Sequence, residues 1–166
     1  SCDGIAPVKG MLEAGVNVAM GSDGAYVNCS IDMVEQMKFA SLIQNVTHLD
    51  PTLMTAERAL EMATINGART TPCRDRIGSL EQGKDADIVL FDTRRPEWQP
   101  LINPVANLVY AATGDSVRHV FVAGEQVVRD YKLTRIDEAA IYREVPRAVS
   151  RFSKRLKVDK MVQLRW

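Results

Sequence analysis

Asp23 is the residue of this sequence most easily given a chemical role. It follows the apolar run Val16-Asn17-Val18-Ala19-Met20 and sits within Gly21-Ser22-Asp23-Gly24. A mostly apolar segment of strand length, bounded by Gly15 before and by Gly21 and Gly24 after, predicts a parallel strand covered by helices. A carboxylate at the C-terminal end of such a strand lies on the rim where barrel enzymes carry ligands and catalytic groups. Gly24 lets the backbone turn sharply beside it. Asp-Gly is also common turn chemistry, in which the carboxylate only caps the next turn or helix.

The other reactive side chains are few. His48 falls near the end of a predicted helix, where its simplest role is to stabilise the helix dipole. His119 precedes Val120-Phe121-Val122 and reads as a strand surface residue. Cys2, Cys29 and Cys73 are odd in number and widely spaced, which suits neither a disulfide framework nor a zinc knuckle, so they are expected to be reduced. A nucleophilic Cys29 or Cys2 would need a neighbouring base, and neither has a His beside it.

The elements that must position Asp23 have an α/β rhythm. Ile5, Val8, Met11 and Leu12 recur at helical spacing and stop at Gly15. After the predicted strand, a second helix starts near Asp32, with Asp32 and Glu35 favouring its first turn. Met33, Val34, Met37, Ala40, Leu42, Ile43 and Val46 form its apolar stripe, and it ends between Thr47 and Asp50. Thr55 caps a third helix expected to run through Asn66 and end at Gly67. Residues 67–76 read as a connection. Beyond residue 76 the signals become strand-like, with Ile77 to Leu80, Ala86 to Phe91, and a hairpin of Val117 to Val122 with Val127 and Val128 turning at Ala123-Gly124-Glu125. Asn103-Pro104 opens an irregular or helical stretch through Leu108 and Val109. A helical tail from Asp137 to about Lys157 contains Pro146, expected to kink it, and a basic cluster of Arg147, Arg151, Lys154, Arg155, Lys157 and Lys160 that reads as a solvated face. The expected division is therefore 1–76, 77–136 and 137–166.

With 166 residues, 46% of them hydrophobic, and 21 acidic against 21 basic side chains, the composition is that of an ordinary soluble protein with no bias toward nucleic acid. No apolar run approaches the roughly 20 residues that span a bilayer, and no charged-then-apolar leader opens the chain. Neither nucleic acid nor membrane is expected as a partner, and the cytoplasm is the expected location. A first residue of Ser1 rather than Met fits a piece of something longer.

Several ordered motifs together suggest a family. Gly4-Ile5-Ala6-Pro7-Val8, Leu12 to Val18, Gly21-Ser22-Asp23-Gly24, Asp32-Met33 with Glu35 and Met37, Ala59 to Thr64 with Gly67-Ala68, Ile77 to Val89, and Val120 to Gly124 resemble the amidohydrolase superfamily over roughly residues 4–130. The closest resemblance is to its triazine and nucleobase hydrolases, such as atrazine chlorohydrolase-like enzymes and cytosine or guanine deaminases. It implies an α/β fold in which residues 4–66 are the terminal βα portion of a (β/α)8 barrel and residues 77–130 belong to the associated β-sandwich. It also implies that Asp23 is the catalytic carboxylate that ligates the metal and takes a proton from its bound water, and that Asn28 lies on a loop lining the substrate pocket. Zinc or iron is the implied cofactor of the parent family, and a small nitrogen heterocycle losing an amino or halo group is the implied substrate.

The family's His-x-His pair has no counterpart in this sequence, and His48 and His119 both follow Asp23. The expectation is therefore a C-terminal portion of such an enzyme, inactive and metal-free by itself, whose incomplete barrel is covered by a complementing N-terminal barrel fragment, by a second copy in a homo-oligomer, or by the tail beyond residue 130. Residues 69–73, Arg-Thr-Thr-Pro-Cys, depart from the family's usual Ala-Leu-Gly-like continuation. The rival reading is a non-catalytic module, derived from such an enzyme, that self-associates through the exposed strand.

Overall fold

The computed structural model describes residues 4–156. They fall into two compact units, the first ending at Tyr131 and the second beginning at Lys132, so the boundary expected at residue 76 lies within the first unit.

Helix α1 (Val8–Glu13) buries Val8 and has Pro7 at its N-cap, where the missing amide proton costs nothing. The turn that ends it returns the Val16 amide to the Met11 carbonyl at 2.9 Å. From Val16 to Met20, where a parallel strand is expected, the chain pairs with no other strand among the described residues. Its polar groups go to helices instead. The Met20 amide donates to the Met62 carbonyl at 3.0 Å, Asn66 Nδ2 donates to the Val18 carbonyl at 3.2 Å, and Asn17 Nδ2 donates to the Asn66 carbonyl at 3.1 Å. Val18 and Met20 nevertheless pack against the core.

After the single turn of α2 (Ala25–Asn28), Asp32 caps α3 (Met33–His48) by accepting from the Val34 and Glu35 amides. The helix buries Val34, Met37, Ser41 and Gln44, whereas Leu42, Ile43 and Val46 of the expected stripe are exposed. Two of the four inward residues are polar because the neighbouring backbone needs partners. Ser41 Oγ donates to the Met54 carbonyl at 3.0 Å, Gln44 Nε2 donates to the Ala6 carbonyl at 3.0 Å, and Asn45 Oδ1 accepts from the Met54 amide at 2.8 Å.

The third helix forms in two pieces, not one. Helix α4 (Ala56–Ala63), capped by Thr55 as expected, breaks at Thr64, and α5 (Ile65–Arg69) carries Gly67 within it. Residues 77–80, expected to be strand-like, form bends and irregular backbone.

The sheet of the first unit is antiparallel. Strand β1 (Ile88–Phe91) pairs with β2 (Val117–Val122), which forms a hairpin with β3 (Glu125–Arg129). The hairpin turns through Ala123 and Gly124, both at positive φ (48° and 83°), the backbone of a tight turn matched to strand twist. Asp87 fastens it by accepting from the Ala123 amide at 2.7 Å. Between the strands, Asn103 caps α6 (Pro104–Ala106), which widens into a π-helical turn over Asn107–Ala111.

The core joins α1, α3 and α4 to this later chain. Val8, Val34, Met37, Met54, Ala56, Ala59, Met62, Trp98, Val109 and Ala112 form one cluster, with the Phe91 ring 5.5 Å from that of Trp98. A second tie is polar: the other carboxylate oxygen of Asp32 accepts from the Gly114 amide at 2.8 Å. A Cβ at Gly114 would lie 2.7 Å from that oxygen, so the contact requires glycine.

In the second unit, Lys132–Leu133 (β4) is extended, and α7 (Glu138–Leu156) runs through Pro146 without interruption. Lys157 and Lys160 of the basic cluster lie outside the described residues.

Asp92 provides a test by pH. Its carboxylate accepts from Arg94 Nε and Nη2 at 2.9 and 2.8 Å, from the Arg94 amide, and from the Tyr131 hydroxyl at 2.9 Å. Arg94, then the Tyr131 hydroxyl, hold its pKa well below the usual carboxylate range. A lowered folded pKa means that the stabilisation is complete above the ordinary aspartate range and is lost as the pH falls through that range toward the folded value. Denaturant titrations at stepped acid pH should show Asp92→Asn losing less stability on acidification than the parent. In a separate measurement at neutral pH, Asp32→Ala, which removes the cap and the Gly114 link together, should lower unfolding free energy by about 1–3 kcal/mol.

Candidate active site

Asp23 follows the extended segment on a left-handed backbone, φ 57°, which Asp adopts more readily than most residues. Its carboxylate is exposed and accepts from the Gly24 amide beside it. Among the described residues no basic side chain pairs with it. A carboxylate so placed is reachable from solvent.

The loop carrying Asp23 is closed by Asn28. Its Nδ2 donates to the Ser22 carbonyl at 2.9 Å and to the Ser30 carbonyl at 3.0 Å, spanning both ends of α2. Beyond Ser30, Asp32 fixes the start of α3, so the loop is anchored to the helix and through Gly114 to the approach to β2. The Asn28 side-chain amide nitrogen thus serves the turn. The Gly114 link spans 82 residues and has no local signal. Cys29 ends α2 in the left-handed region, φ 61°, and is exposed.

The two histidines lie elsewhere. His48 is exposed in the last turn of α3, which suits a dipole role. His119 lies on β2, its Nδ1 accepting from the Asp130 amide at 3.2 Å and lying 3.2 Å from Gln126 Nε2. Among the described residues no three His, Cys, Asp or Glu side chains group so as to hold a metal ion. Zinc takes about four ligands, and Asp23 offers carboxylate oxygens only, so the donors described do not fit zinc by themselves.

The sequence model of the amidohydrolase family matches residues 1–127, and the chain belongs to that family. Among its relatives, the 5'-deoxyadenosine deaminase of Methanopyrus kandleri is 45% identical over 138 residues, 83% of this chain and 32% of that one. The 5-methylthioadenosine/S-adenosylhomocysteine deaminase of Moorella thermoacetica is 46% identical over 142 residues, 86% of this chain and 33% of the relative. The chain thus spans about a third of the length of the curated relatives it matches. An adenosine deaminase from Xanthomonas campestris, solved with bound zinc, superposes with a TM-score of 0.88 at 33% identity, covering 92% of this chain and 35% of that one. The zinc complex of atrazine chlorohydrolase from Arthrobacter aurescens gives a TM-score of 0.76 at 25% identity, with 85% and 31% covered. The residues therefore have the α/β fold of part of an amidohydrolase, with a small antiparallel sheet. Among the described residues no helix is long and apolar enough to cross a membrane.

The role of Asn28 as loop closure is open to hydrogen exchange. In Asn28→Ala, the amides of Val27, Asn28 and Cys29, which close onto Gly24 and Ala25, should exchange about 10-fold or more faster as local opening becomes easier. Amides in the middle of α3 should be unchanged, which mass spectrometry of peptides can resolve.

Proposed function

We propose that this chain supplies the proton-handling carboxylate, Asp23, to a hydrolase that replaces an amino or halo substituent of a nitrogen heterocycle with the oxygen of water. The favoured substrate class is the 6-amino group of an adenosine-type nucleoside, in keeping with the deaminases to which the chain is similar. The observation that carries the reading is the exposed Asp23 carboxylate, without an ion pair among the described residues, on a loop closed by Asn28. In the reaction, water oxygen bonds to the ring carbon and the carbon–nitrogen bond breaks. Asp23 accepts a proton from the water and delivers it to the departing nitrogen, which leaves as ammonia, and nothing is oxidised. Asn28 borders the heterocycle through the loop it shapes.

We assign the chain to the C-terminal barrel and sandwich portion of such an enzyme, inactive without a complementing barrel portion. Ile5, Val16, Leu42, Ile43 and Val46 are exposed, as expected of surfaces that further chain covers. The donors beyond Asp23 that zinc would require are assigned to that other portion. Free, exposed Cys29 and Cys73 suit a reducing cytoplasm.

The test is a chimera in which this chain replaces the matching third of the Moorella thermoacetica deaminase, assayed for ammonia release from S-adenosylhomocysteine. The chimera should turn over, the isolated chain supplied with zinc should not, and Asp23→Asn in the chimera should lower kcat by about 10²–10⁴-fold with zinc content and circular dichroism preserved. Turnover by the isolated chain, or full activity of a folded Asp23→Asn chimera, overturns the reading.

A further inference from the structure

We infer that Asn66 is a positioning residue for Asp23: it fixes the register of the extended segment that ends in that carboxylate. This deepens the proposed function and rests on the proton-handling role assigned there to Asp23. One residue of α5 engages two successive residues of the segment. Asn66 Nδ2 donates to the Val18 carbonyl at 3.2 Å, and the Asn66 carbonyl accepts from Asn17 Nδ2 at 3.1 Å. The partners are 48 and 49 residues apart in the chain, so the contact is not a turn closing on itself.

The remaining polar group of the side chain is also used. Asn66 Oδ1 accepts from Arg69 Nη1 at 2.9 Å, one turn further along α5. A guanidinium only donates and a backbone carbonyl only accepts, so the two contacts together orient the amide with its nitrogen toward Val18. The side chain is thus held from its own helix and aimed at the segment. A further bond lies nearer the carboxylate, where the Met20 amide donates to the Met62 carbonyl at 3.0 Å. Val18 and Met20 pack against the core from the same stretch.

These bonds decide where Asp23 stands. An extended chain advances about 3.3 Å per residue and sends successive side chains to opposite faces. A slip of one residue would break all three bonds, turn Val18 and Met20 from the core, and carry Asp23 about 3.3 Å along. A base must lie within hydrogen-bond reach of the proton it takes, and a misplacement of about 1 Å can cost ~100-fold in rate. In this role Asn66 acts through residues 17 and 18, not on the reacting molecule.

Two measurements test the inference. In the whole chain, amide exchange followed by NMR should show the Met20 amide of Asn66→Ala exchanging about 5-fold or more faster, with amides in the middle of α3 unchanged. In the Moorella thermoacetica chimera acting on S-adenosylhomocysteine, Asn66→Ala and Asn66→Asp should each lower kcat by about 10–100-fold and leave KM within about 2-fold. Asn66→Asp keeps the size of the side chain and an acceptor for Arg69 but lacks the donor to Val18, so it probes the bond even where the alanine variant fails to fold. Thr70→Ala, which removes a bond from the end of the same helix to the Gly67 carbonyl at 2.7 Å, should leave kcat within about 2-fold. Unchanged exchange at Met20, or full kcat in a folded Asn66→Asp chimera, overturns the inference. So does a loss confined to thermal stability with kcat per zinc-loaded molecule retained, which assigns Asn66 to folding alone. If the chimera with Asn66 intact does not turn over, the functional reading fails and the catalytic part of this one with it, while exchange at Met20 still decides whether Asn66 holds the segment.

Discussion

The segment that ends at Asp23 is held by hydrogen-bonding groups that a continuous helix would have kept for itself. Without the break at Thr64 (φ −124°, ψ −94°), the Met62 carbonyl would accept from the amide four residues on. The break turns α5 out of line and the Met20 amide takes that place, while Asn66 both donates to Val18 and accepts from Asn17. Thr64 Oγ1 donates to the Leu60 carbonyl at 2.6 Å, a local bond that competes with continued helix. The break and the extended segment therefore support each other: each leaves polar groups that the other pairs. Among the described residues, Asp23 gets its position from these helices, not from a strand ladder.

This dependence marks where the fold could be read locally and where it could not. The start of α3 was legible from Asp32 and Glu35, the start of α4 from Thr55, and the hairpin from Ala123-Gly124, because in each case the deciding groups lie within a few residues. The break at Thr64 was not, since the groups that stabilise it belong to residues 17–20. The polar part of α3's buried face was not legible for a related reason. Apolar periodicity points Leu42, Ile43 and Val46 inward, but the Met54 and Ala6 carbonyls require the donors of Ser41 and Gln44. A polar side chain turned inward by a distant carbonyl leaves no trace in hydrophobic spacing. Asp23 stood out because a carboxylate after an apolar run is a local pattern, whereas the tie between Asp32 and Gly114 depends on a residue far along the chain.

Four other carboxylates of the first unit show what structural use looks like. Asp32 caps a helix and holds Gly114, Asp87 fastens the hairpin turn, Asp92 gathers Arg94 and Tyr131, and Asp130 pairs with Arg118 at 2.7 Å. Each accepts from donors elsewhere in the unit, and its loss would leave those donors without a partner. Replacing any of them would disturb folding before it could reveal anything about chemistry.

Residue 23 makes a different demand. The backbone there asks for a residue that tolerates positive φ, which Gly meets without strain and Asn meets as readily as Asp. The Gly24 amide is the side chain's hydrogen-bond partner within the loop, and an Asn oxygen would accept it equally well. Asp23 is not a member of the core cluster and has no ion pair among the described residues. The local geometry is therefore indifferent to the negative charge that distinguishes Asp from Asn. The charge is thus not required by the loop, and the role proposed for Asp23 rests on that distinction.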